Sequence, residues 1–100
     1  MNEQLVVGDI EMDTGRHTVI RNGKSVDLLP LEFSLLEFFL RNQGRVFPAE
    51  ALLERVWPAH SERSTEAVRT AIKTLRRKID RGCDRTVIRT IHGVGYKLEI

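Results

Sequence analysis

The stretch STEAVRTAIKTLRRKID, residues 64–80, decides how the rest of the chain is read. Val68, Ile72, Leu75 and Ile79 recur at intervals of four, three and four, so at 100° per residue they form one apolar stripe. The same rotation gathers Glu66, Thr70, Lys73, Thr74 and Arg77 on the opposite side, with Arg69 and Arg76 on one flank and Lys78 on the other. Between residues 63 and 81 there are seven basic side chains and two acidic ones, Glu66 and Asp80. The spacing predicts a helix over 64–80, apolar inside, cationic and hydroxyl-bearing outside. A charged helix face is often only a solvated face, so its meaning depends on its neighbours in the chain.

Downstream, RTIHGVGYKLEI (residues 89–100) reads as a hairpin, with 86–91 going out and 96–100 returning. The reversal falls at His92-Gly93-Val94-Gly95, where the two glycines are expected to permit a sharp turn and a slim tip. Arg85, Arg89, His92 and Lys97 make this segment, 86–100 with its approach, basic up to Glu99. Tyr96 is expected to pack against the cationic helix.

Upstream, Pro30 suits a first helical position, and LEFSLLEFFLRNQG places Phe33, Leu36, Phe39 and Leu40 on one face before Gly44, giving a helix over 30–43. Pro48 opens a second helix over 48–57 with Leu52, Leu53 and Val56 apolar, and Pro58 ends it at Trp57. Leu29 and Pro48 lack the side-chain oxygen of a good N-cap. Residues 58–63 form a polar connection. Before Pro30, short β-patterned runs alternate with Thr14-Gly15 and Asn22-Gly23, which predicts three or four antiparallel strands over 4–28.

The bulk properties set limits on function. One hundred residues suit one small domain, and 41% hydrophobic with 30% charged residues is ordinary for a globular chain. No apolar run is long enough to span a bilayer, and MNEQLVVGD lacks the basic-then-apolar pattern of an export signal. A lone cysteine, Cys83, excludes an internal disulfide and fits a cytoplasmic protein. His17, His60, Cys83 and His92 lie in unrelated segments, so no metal site is expected; no cofactor loop or catalytic motif is present, so no enzyme is expected either. Residues 1–40 carry a net charge of −4 and residues 41–100 one of +6, a polarity suited to a polyanion partner.

An α-helix with its side chains fills the B-DNA major groove, and a basic hairpin beside it can follow the neighbouring backbone or enter the minor groove. Helix, helix, cationic helix, basic hairpin is the order of a winged helix-turn-helix, an α+β fold. The stretches LPLEFSLLEFFLRNQGRVFPAEALLERVW, STEAVRTAIKTLRRKI and IRTIHGVGY together resemble the OmpR/PhoB family, the DNA-binding effector domains of two-component response regulators.

That resemblance covers almost the whole chain. It implies a four-stranded N-terminal sheet, three helices and a C-terminal hairpin wing. By motif position Thr70, Lys73, Thr74 and Arg76 contact bases or phosphates, Trp57 touches the backbone, and Thr90 and His92 lie on the wing. Arg63, Arg69, Arg77 and Arg89 complete the expected DNA-binding set. The loop 58–63 corresponds to one that faces RNA polymerase in similar proteins. Arg69 and Ala71 stand where the family often has Asp and His, Glu66 where Arg is frequent, and His92 where a wing arginine is common, which alters the expected target sequence. The implied partner is double-stranded DNA, bound as a tandem dimer on direct repeats by a chain that is monomeric in isolation. No receiver domain lies within these residues. The alternative is a protein-interaction module that docks a receiver domain or RNA polymerase without reading DNA.

Overall fold

A computed structural model describes residues 3–100. The chain runs β1 (Gln4–Val7), β2 (Ile10–Asp13), β3 (Thr18–Arg21), β4 (Lys24–Ser25), α1 (Pro30–Arg41), α2 (Ala49–Val56), α3 (Thr65–Ile79), β5 (Ile88–Ile91) and β6 (Gly95–Leu98). The first four strands form one antiparallel sheet in chain order, and β5 and β6 form a separate hairpin. This is the α+β architecture expected from the sequence.

Turn chemistry sets the sheet. Asn22 (φ 51°) and Gly23 (φ 79°) both take positive φ between β3 and β4, as a tight two-residue hairpin requires. Between β2 and β3 the positive φ falls on His17 (59°) and not on Gly15. The His17 ring stacks on Phe33 with centroids 3.8 Å apart, which ties this turn to α1. Ile10, Met12 and Val19 are buried on one face at the two-residue strand period. The sheet is shorter than expected, since β4 ends at Ser25 and residues 26–28 continue as irregular chain.

The helices are each slightly shorter than the sequence signals indicate. α1 stops at Arg41, with Asn42 as its C-cap, and Gly44 takes φ +84° beyond it. α2 starts at Ala49 and ends at Val56, with Pro48 and Trp57 as the flanking caps. α3 is bounded by Ser64, whose hydroxyl accepts from the Ala67 N–H at 3.1 Å, and by Asp80. Leu29 provides no side-chain cap; the Glu32 carboxylate instead accepts the Leu29 N–H at 2.8 Å. α1 buries Phe33, Leu35, Leu36, Phe39 and Leu40, a broader face than the stripe read from sequence, because β1, α2, α3 and β6 all pack on it.

The hairpin turn is closed by the Val94 N–H donating to Ile91 O at 2.9 Å, with Gly93 at φ +76°. Gly95 has another purpose than the expected one, for its φ is not positive. Phe47 and Tyr96 exchange two backbone hydrogen bonds, 2.8 and 2.9 Å, so the segment before α2 lies along β6. A Cβ on Gly95 would overlap the Phe47 carbonyl and lie 2.8 Å from Pro48 Cα. Gly93 turns the hairpin, and Gly95 lets it dock.

Candidate nucleic-acid interface

The α3 stripe is buried as the spacing predicts, with Val68, Ile72, Leu75 and Ile79 in the core and Ala71 beside them. Its outer face is open. Arg69 and Glu66 form a loose ion pair at 3.5 Å with side chains 71% and 77% exposed. Thr70, Lys73 and Arg77 are exposed, and among the described residues Lys73 and Arg77 have no hydrogen-bond or ion-pair partner. Cations held on a solvent-facing helix without partners keep their full charge for an incoming anion.

Two members of the expected face are turned to other uses. The Lys78 ammonium lies 2.6 Å from the Glu32 carboxylate, whose side chain is nearly enclosed. Burial works against the Glu32 charge, but the hydrogen bonds from Lys78 and the Leu29 N–H outweigh it and hold the carboxyl below its ordinary value. Thr74 is half-buried, and its hydroxyl donates to Ala71 O at 3.1 Å. Thr70 is therefore the freer hydroxyl on this face.

Arg76, expected as a base or phosphate contact, already uses two of its five N–H donors within the protein. Its Nε donates to Ile88 O at 2.7 Å, its Nη2 donates to Thr90 Oγ1 at 2.6 Å, and its Cζ sits 5.9 Å from the Tyr96 ring centroid. Tyr96 thus reaches the helix through Arg76. Trp57 is 6% exposed and packs its ring in the core, while its indole N–H, without a protein partner among the described residues, stays accessible at the end of α2. Arg63 is exposed but donates to Leu53 O at 2.9 Å, anchoring the loop after α2.

On the hairpin Arg89, Thr90 and His92 are all exposed. Arg89 pairs across the strands with Glu99 at 2.9 Å, and Lys97 reaches the same carboxylate at 3.2 Å. The bonds from Lys97 and then Arg89 hold the Glu99 carboxyl below its ordinary value. Seven of the expected residues, Arg69, Thr70, Lys73, Arg77, Arg89, Thr90 and His92, therefore stand exposed on α3 and the hairpin, and Arg76 ties those two elements together.

Sequence reasoning passed over Arg21 and Asp80. Arg21 is buried and donates through Nη1 to Asp80 Oδ1 at 2.9 Å and to Ile79 O at 2.8 Å, and through Nε to Asp9 at 3.2 Å. Asp80 Oδ1 also accepts the Val87 N–H at 3.3 Å. One carboxylate thus joins the sheet, the end of α3 and the approach to β5. The strand period carried a signal, because Arg21 lies two residues from Val19 and so on the inward face. Among the described residues no group of three His, Cys, Asp or Glu side chains could hold a metal ion, and no helix is long and apolar enough to cross a membrane.

Three helices with the last one cationic and open, a hairpin docked beside it and a four-stranded sheet in front define an OmpR/PhoB-type winged helix-turn-helix. The chain belongs to the family described as transcriptional regulatory protein, C terminal, whose model matches residues 23–98. It is 40% identical over 100 residues to the transcriptional regulatory protein CusR of Escherichia coli K12, covering 100% of this chain and 44% of CusR. The DNA-binding response regulator MtrA of Mycobacterium tuberculosis H37Rv is 40% identical over 96 residues, 95% of this chain and 42% of MtrA. Among solved structures, the response regulator DrrB, a Thermotoga maritima OmpR/PhoB homologue, superposes with a TM-score of 0.84 at 35% identity, covering 98% of this chain and 45% of DrrB. The chain spans less than half the length of these relatives.

Proposed function

We propose that the chain is the sequence-specific double-stranded DNA-binding effector part of a bacterial transcription regulator. The observation that carries this reading is the open α3 face, where Arg69, Thr70, Lys73 and Arg77 are exposed and the cations Lys73 and Arg77 have no protein partner among the described residues. α3 enters the major groove, and the β5–β6 wing lies on the adjacent backbone or in the minor groove. Arg69, Lys73, Arg77 and Arg89 neutralise phosphates, with Arg63 at the edge. Thr70 discriminates bases, assisted by Thr74 and Arg69. His92 presents a smaller tip to the minor groove than an arginine would.

The chain acts as one unit in the cytoplasm and pairs in tandem on direct repeats. The loop after α2, with Pro58, Ala59 and His60 exposed, is the surface offered to RNA polymerase. Support for these finer points comes from the family's fold and from the polarity of the chain, acidic in residues 1–40 and basic beyond.

The test is a fluorescence-anisotropy titration with random and library-selected duplexes across a range of salt. The expected result is binding whose log K falls linearly with log salt, by about 0.9 per neutralised phosphate, with a clear preference for the selected duplex. Negligible binding to both duplexes at low salt would instead favour a module that docks only proteins.

A further inference from the structure

We propose that Arg76 is a positioning residue that sets the wing against the recognition helix and turns the Thr90 hydroxyl into a donor for a DNA phosphate. This rests on the DNA-binding reading above and deepens it. A guanidinium can only donate, so the 2.6 Å contact between Arg76 Nη2 and Thr90 Oγ1 occupies a lone pair of the hydroxyl and leaves its proton unused. Phosphate oxygens only accept. Thr90, exposed and with its proton free, is their complement.

The clamp acts at one rung of the hairpin. Thr90 and Tyr96 face each other in the β5–β6 register, and Arg76 contacts both. Its Nε bond to Ile88 O is supported by the Thr86 hydroxyl, which donates to the same carbonyl at 3.1 Å. The hairpin is therefore held two residues below its tip as well as at its base. Arg76 follows Lys73 by three residues and Arg69 by seven on one flank of α3, so the helix face and the wing form one continuous surface.

Arg76→Met, Thr90→Val and the double variant would be titrated against a duplex selected on the wild-type chain, with folding checked by thermal melting. Each single variant should weaken binding about three- to tenfold, the double variant no more than the worse single, and the slope of log K on log salt should stay at the wild-type value. Additive losses, or a slope shallower by about one unit in Arg76→Met, would overturn the proposal, because Arg76 would then be contacting phosphate on its own account. If Arg76→Met does not fold, Thr90→Val and Thr90→Ser decide the matter. Val should lose affinity at unchanged slope and Ser retain it, and full affinity in Thr90→Val would refute the role. Failure of the wild-type chain to bind any duplex would remove the DNA-binding reading itself, whereas wild-type binding with additive losses removes only this one.

Discussion

Arg21 Nη1 lies 2.9 Å from Asp80 Oδ1 and 2.8 Å from the Ile79 carbonyl, so a cation from the third strand closes the C-terminal end of α3. A positive charge is favoured there by the orientation of the helix peptide dipoles, and the last carbonyls gain a donor they would otherwise lack. The pair also settles where the N-terminal sheet sits relative to α3.

Removing Arg21 should leave Asp80, whose side chain is 18% exposed, without its cation. Arg21→Met is expected to lower stability by about 3 kcal/mol, read as a shift in urea midpoint at unchanged slope. An unchanged midpoint would mean that water replaces the guanidinium without loss.

Glu32 makes stability pH-dependent with a definite sign. Its carboxyl is held below the ordinary value of 4.5 in the folded chain, so its contribution is fully present above that value and is lost as pH falls through the lowered one. Urea-unfolding stabilities of wild type and Glu32→Gln should therefore differ most at neutral pH, by about 1–2 kcal/mol, and converge as pH falls through the lowered value. A gap that does not narrow on acidification would contradict this.

The two wing glycines should respond differently to a methyl group. Gly93→Ala places an L residue at φ +76° in open space and should cost about 1 kcal/mol. Gly95→Ala drives a Cβ into the Phe47 backbone and should cost about 2–3 kcal/mol, separating the hairpin from the segment before α2. Thermal melts of the pair rank them, and equal losses would refute the distinction.

Arg77 and Thr70 should separate affinity from sequence preference. Arg77→Ala is expected to weaken binding to every duplex alike and to lower the salt slope by about 0.9. Thr70→Ala should keep the slope and narrow the gap between selected and random duplexes. The same titrations read both quantities, and an Arg77→Ala slope equal to wild type would exclude a phosphate contact at that position.

Much of this was legible in the chain itself. Val68, Ile72, Leu75 and Ile79 specify both that α3 forms and which side of it is buried, since helical periodicity is a local property. Asn22-Gly23 likewise specifies its turn through backbone sterics alone. The outward placement of Arg69, Lys73 and Arg77 then follows from the position of the stripe.

The fate of individual polar side chains was not legible, because it depends on what other elements bring within about 3 Å. Arg76 and Lys78 stand beside Arg77 in the same basic run, yet one bonds Thr90 and Ile88 O, the other pairs with Glu32, and of these three Arg77 alone has no partner among the described residues. Trp57 closes α2 as its sequence position indicates, but how far the core encloses its ring is something no local pattern encodes. Local spacing determined the helices, the turns and the polarity of the chain; tertiary packing decided which cations remain for a ligand, because a charge becomes available only where no partner from a distant segment has neutralised it.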